Sequence, residues 1–116
     1  MKHITKTQAI ERKNSDICTV IEYPSGNQDL DFAIVNISGK YPEKGYAKNL
    51  ISSEVVYVQS GEGQVTVDGQ VQELQAGDVV HIEPHEQFVW EGNLQLFIAC
   101  HPAFTPEQHE VVANNM

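Results

Sequence analysis

The chain has 116 residues and a mass of 12.9 kDa, which is one domain's worth of sequence, and its 41% apolar content is too high for a disordered chain. The net charge is −9 and unevenly spread: all seven Lys and Arg lie in residues 1–48 beside six acids, whereas residues 49–116 carry ten acids and neither Lys nor Arg. Without a basic cluster to neutralise phosphates or an anionic lipid surface, neither nucleic acid nor a membrane is an expected partner.

Met1 to Gln8 contains no apolar run of signal length, and no later stretch reaches the length of a membrane span. Cys18 and Cys100 give no disulfide framework and no zinc-binding spacing. The expected compartment is the cytoplasm, with both thiols reduced and buried.

In chain order the elements are strands separated by turn signals. Residues 1–16 are expected to be an N-terminal arm. Ile17 to Tyr23 is rich in β-branched residues and ends at Pro24-Ser25-Gly26-Asn27. Asp31 to Ser38 is apolar at both parities, so it is expected to be covered on both faces. Gly39 to Gly45 breaks it, and Tyr46 to Ser53 is ambiguous between strand and loop. Val55 to Val58 is a strand that Ser60-Gly61-Glu62-Gly63 is expected to close as a hairpin turn. Gln64 to Val67 and Gln70 to Leu74 flank Asp68-Gly69, the dipeptide favoured where both central turn residues need positive φ. After Gln75-Ala76-Gly77-Asp78, Val79 to Glu83 runs to Pro84. Gln87 to Trp90 follows, then an expected turn at Glu91-Gly92-Asn93, then Leu94 to Cys100. Thr105-Pro106-Glu107-Gln108 carries an N-cap, a first-turn Pro and a Gln three residues past the cap, enough for a short helical turn in a tail spanning 105–116. Even, short turn spacing predicts an all-β sandwich or barrel in one domain of 1–116, with the barrel core over about 17–104.

The run Glu54 to Gly63, then Val67-Asp68-Gly69, then Leu74 to Pro84 resembles the small single-domain cupins. That resemblance implies a double-stranded β-barrel (a jelly roll) with a pocket in its mouth, usually paired as a homodimer. In that family function rests on metal ligands. The first family motif places two His shortly before a Glu, which Glu54 matches. Ala47-Lys48-Asn49-Leu50 stands where the His pair should be and contains no His. In the second motif Gly77, Asp78 and Pro84 match, but His85 occupies the family's Gly and Phe88 its third His. With one of four ligands kept, the resemblance supports the fold and speaks against the usual metal centre. No resident cofactor is expected, and a divalent metal held by non-standard ligands is the alternative.

Among candidate site residues, Glu54 shares a strand face with Val56 and Val58, so it is expected to point inward. A carboxyl there needs a partner or its pKa rises, which suits ligand binding or acid–base work; a strand-end Glu paired with Lys48 is the bland alternative. Lys48 and Asn49 are candidate ligand contacts at the vacated His positions, and an inward Lys48 would favour an anionic or carbonyl-bearing ligand. Phe88 and Trp90 share a face and either wall a pocket or fill the barrel. His85 and His101 are candidates at the pocket rim. His81 and His85, four residues apart in a strand, are separated by about 13 Å, too far for one ion, and His81 is expected outside. His109 is expected on the surface of the tail.

The leading expectation is a small-molecule-binding barrel without a tightly bound metal. The competing one is an enzyme: a metal-free isomerase or epimerase using Glu54 with a His, or a metal-dependent oxygenase or isomerase recruiting Glu54 with His85 or His101. A barrel simply filled by its aromatics is the third.

Overall fold

The computed structural model describes residues 1–113. A 3₁₀ turn at Lys6–Gln8 precedes nine strands: β1 (Ile10–Ser15), β2 (Cys18–Tyr23), β3 (Asp31–Tyr41), β4 (Tyr46–Asn49), β5 (Ser53–Val67), β6 (Gln70–Gln75), β7 (Val79–Ile82), β8 (Phe88–His101) and β9 (His109–Val112). A second 3₁₀ turn, Pro106–Gln108, leads into β9, with Thr105 before it and Pro106 at its first position. Among the described residues the fold is therefore all-β, with helix limited to these two turns. Among the described residues no helix is long and apolar enough to cross a membrane. The strand β1 lies within the segment expected as an arm, and β9 within the expected tail.

The sheet is organised around β8, which is paired antiparallel along both edges, with β3 on one side and β5 on the other. Outside β3 lie β2 and then β1. β5 also pairs β6 over its second half and β7 over its first. Ala47 of β4 meets the start of β8 at Phe88, and β9 closes against β4. The sheet curls so that one face of each long strand turns inward.

Strand parity decides what is inside. In β8 the even residues Phe88, Trp90, Leu94, Leu96, Ile98 and Cys100 are buried, with Gly92 in phase between them. In β5 the inward set changes parity, from Glu54, Val56 and Val58 to Val65. The cause is a bulge: Val58 pairs Leu96 and Ser60 pairs Gln95, so Gln59 is the extra residue.

Two expected turns are instead continuous strand. Gly61-Glu62-Gly63 and Glu91-Gly92-Asn93 face each other in the β5–β8 ladder. Their glycines serve close backbone approach: a Cβ on Gly92 would lie 2.6 Å from the Cα of Gly63 and from the carbonyl oxygen of Glu62. β3 likewise runs through Gly39 to Tyr41. The Asp68-Gly69 hairpin forms as the sequence predicts, both residues at positive φ (49° and 82°). β3 is not covered on both faces. Its odd residues Val35, Ile37 and Tyr41 are buried, while Phe32 is 40% exposed. The outer face carries an aromatic row instead, Tyr23–Phe32–Phe97–Tyr57, with ring centroids 5.8–6.3 Å apart.

Candidate functional site

The inward faces of β1, β2 and β3 on one side and of β5 and β8 on the other enclose a cavity of about 290 Å³, at the small end of ligand pockets. Phe88, Trp90 and Ile98 supply apolar wall, and Phe104 and His109 close it from the C-terminal segment. Phe88 and Trp90 meet edge to face, with centroids 6.4 Å apart, and leave the cavity beside them; the barrel is not filled by its aromatics.

Glu54 is the buried acid of this wall. Burial pushes its carboxyl up to about 7, against hydrogen bonds from Asn49 and Cys100 that favour the charged form. Both contacts fall on one oxygen: Asn49 Nδ2 donates to Oε2 at 3.0 Å, and the Cys100 thiol approaches it at 3.7 Å. Burial and the nearby carboxylates Glu54 and Asp31 push the Cys100 thiol far up, so it stands there as a neutral donor.

The hydrogen bonding continues away from Glu54. Asn49 Oδ1 lies 2.8 Å from His109 Nδ1, and His109 Nε2 lies 2.8 Å from the Tyr41 hydroxyl. An amide oxygen only accepts, so Nδ1 carries the proton; Nε2 of the neutral ring then accepts from Tyr41. The chain is directional: Tyr41 O–H to His109, His109 N–H to Asn49, Asn49 N–H to Glu54. Burial and the Arg12 charge hold the His109 pKa below its usual value, which matches a neutral ring, and burial pushes Tyr41 up to about 12.

At the other end of the cavity the Arg12 guanidinium donates to Asn14 Oδ1 at 2.8 Å and to Glu22 Oε2 at 2.9 Å, and it lies 5.4 Å above the Phe104 ring. Asp31 accepts the Phe104 backbone N–H at 2.9 Å, and its pKa is raised, mainly by burial.

Of the residues singled out from sequence, Glu54, Phe88 and Trp90 line the cavity, and Asn49 touches it through Glu54. Lys48 lies outside the lining: its parity in β4 is opposite to that of buried Ala47 and Asn49, and its ammonium sits 3.9 Å from Glu110. His85 is exposed on the turn after Pro84, at φ 71°, with its backbone N–H on the Asn49 carbonyl. His101 is exposed, with Nδ1 2.6 Å from the Asp29 carbonyl oxygen. His81 is exposed beside Glu83. His109 corrects the expectation of a surface residue. The β4–β9 pairing sets it opposite Asn49, where it enters the cavity wall.

Sequence reasoning missed Arg12, Asp31, Tyr41 and His109 as site residues. For Asp31 a signal was present, since it alternates in phase with Val35 and Ile37. Arg12 and Asn14 also alternate, within a segment set aside as an arm. Tyr41 shares the parity of Asp31 but lies beyond Gly39, where the strand was expected to break, and His109 carries no local signal.

A curled antiparallel sheet with a largely apolar cavity and a few converging polar groups between its inward faces defines a small β-barrel. Residues 51–94 match the family model described as a cupin domain. An uncharacterised protein of Methanocaldococcus jannaschii is 31% identical over 94 residues, 78% of this chain and 73% of that protein. Among solved structures, Pac13 from Streptomyces, described as a nucleoside dehydratase, is similar with a TM-score of 0.87 at 17% identity, covering 100% of this chain and 94% of that one. An RmlC-like cupin from Shewanella frigidimarina has a TM-score of 0.71 at 24% identity, covering 89% of this chain and 93% of that one. The chain belongs to the cupin superfamily.

Cupins commonly hold a metal, and the donor set here does not fit the usual centre. Asn49 and Phe88 stand at ligand positions, and both His109 nitrogens are engaged, by Asn49 and Tyr41. Among the described residues no group of three or more His, Cys, Asp or Glu is arranged to hold an ion.

Proposed function

We propose that this cupin binds a small organic molecule in the barrel cavity, without a resident transition metal, and that Glu54 exchanges a proton with it as general acid or base. The observation that carries the reading is a buried carboxyl in a cavity wall, its pKa pushed up to about 7, where both protonation states are populated near neutrality. The directional chain from Tyr41 through His109 and Asn49 supports it by holding Glu54 in one orientation. The fold's likeness to a barrel described as a nucleoside dehydratase, solved with uridine, supports a cavity that admits an organic molecule of that size.

The experiment is a substrate screen on the purified protein with Glu54→Gln as partner. Turnover in the parent that is abolished in the folded Gln variant supports the reading. Stoichiometric Fe, Mn, Ni or Zn that is lost with Glu54→Gln overturns its metal-free part. Binding that persists in both proteins with no turnover leaves a pure binding protein, the second reading. That reading is favoured by the wholly neutral hydrogen-bond chain behind Glu54.

A further inference from the structure

We infer that the cavity selects an organic cation, an ammonium or amidinium group carried on an apolar or aromatic body. This deepens the preceding proposal and rests on its reading of the cavity as the ligand site.

Cys100 of β8 pairs with Asp31 of β3 on one side and with Glu54 of β5 on the other. The three residues therefore form one row across three adjacent strands, and all three line the cavity. Neighbouring strands lie about 4.8 Å apart, so the two acids flank the thiol from backbones about 10 Å apart. A group in the cavity against Cys100 meets a carboxylate on either hand.

No protein cation answers that row. Arg12 is the one Lys or Arg lining the cavity among the described residues, and its guanidinium is held by Asn14 and Glu22. The His109 ring is neutral, with both nitrogens engaged. Lys48, the cation nearest in sequence to Glu54, pairs with Glu110 outside the cavity. The lining thus sets three carboxyl groups, Glu22, Asp31 and Glu54, against one guanidinium. Both hydrogen bonds to Glu54 fall on Oε2, which leaves Oε1 free of protein donors among the described residues.

The remaining wall suits the same ligand. Tyr41, Phe88, Trp90 and Phe104 present aromatic groups to the cavity, and ring faces attract desolvated cations. Like-charge repulsion points the same way: Asp31 raises Glu54, and Glu22 raises Asp31, each adding to burial. A bound cation relieves that repulsion, whereas an anion adds to it. An anionic ligand, which an inward Lys48 would have favoured, has only Arg12 to meet in this lining, and that guanidinium already serves Asn14 and Glu22.

The test uses three probes with one ring and different charge: benzylammonium, benzyl alcohol and benzoate. Trp90 is the only tryptophan of the chain and stands in the cavity wall, so its fluorescence reports occupancy. At about pH 8, above the Glu54 value of about 7, benzylammonium is expected to bind about tenfold tighter than benzyl alcohol, with benzoate weakest. Asp31→Asn and Glu54→Gln are each expected to narrow the gap between the first two. The order in the parent protein decides the matter even if neither variant folds. Benzoate or the alcohol binding as tightly as benzylammonium overturns the cation preference and leaves the cavity reading standing. No Trp90 response to any probe overturns both.

Discussion

Tyr41 and His109 stand 68 residues apart in the chain and 2.8 Å apart in space, with their rings within 9° of parallel. The Asn49 amide oxygen on Nδ1 fixes the ring's tautomer, and the Tyr41 hydroxyl, able to donate or accept, completes it by donating to Nε2.

The tautomer is directly observable. Long-range nitrogen–proton correlation spectra are expected to show His109 neutral and protonated at Nδ1 at pH 7. An Nε2–H ring would reverse the chain and remove its logic. Because the folded pKa is depressed, the contribution of His109 to stability is present above its unfolded value of 6.5 and is lost as pH falls through the lower folded value. His109→Ala leaves Asn49 and Tyr41 each short of a partner and is expected to cost about 1–3 kcal/mol in chemical denaturation at pH 7.

Glu54 titrates in the opposite sense. Its folded pKa of about 7 lies above the ordinary 4.5, so the folded state binds the proton more tightly. Its contribution is fully present below about 4.5 and is lost as pH rises through about 7, at a cost of about 3 kcal/mol. Glu54→Gln is expected to match the parent near pH 4 and to exceed it by an amount of that order near pH 8. Equal stability of parent and variant at both pH values would show that the carboxyl is not desolvated. Since His109 and Glu54 pull in opposite directions over an overlapping range, the parent curve alone hides both effects, and the variants separate them.

Two glycine substitutions distinguish turn chemistry from close approach. Gly69 has φ +82° and nothing within 4 Å of an added Cβ, so Gly69→Ala meets only backbone strain, about 1–2 kcal/mol. Gly92 has φ +135° and an added Cβ would also meet the backbone of Glu62 and Gly63 at 2.6 Å. Gly92→Ala is expected to cost about 1–3 kcal/mol more than Gly69→Ala in urea unfolding. Equal losses would contradict the role given to Gly92 in the β5–β8 ladder.

What could be read from the sequence follows from the range of the interactions involved. The Asp68-Gly69 hairpin is local, and it was legible. The inward set of Glu54, Phe88 and Trp90 follows from strand alternation, which is also local. Gly61, Gly63 and Gly92 misled because glycine marks a turn or a close approach with the same letter, and only the partner strand decides between them. Lys48 was a candidate by alignment to a family position, but parity in β4 turns it away from Asn49. His109 enters the site because β9 pairs with β4, and Tyr41 meets it from the end of β3. Pairings across 60 or more residues leave no trace in a local window.

The double pairing of β8 has a consequence for how this barrel can vary. Everything that β8 contributes to the cavity is encoded in the parity of one strand: Phe88, Trp90, Ile98 and Cys100 are inside because they are even. A one-residue insertion midway along β8 would turn half of that set outward and carry Phe97 or His101 toward the interior. β5 absorbs its extra residue at Gln59, in the gap between its pairings with β7 and β6, whereas β8 is paired along both edges without a break from Trp90 to Cys100 and has no slack to do the same. New specificities in this barrel can therefore arise by exchanging side chains along β8, whereas changes in length are confined to its rim.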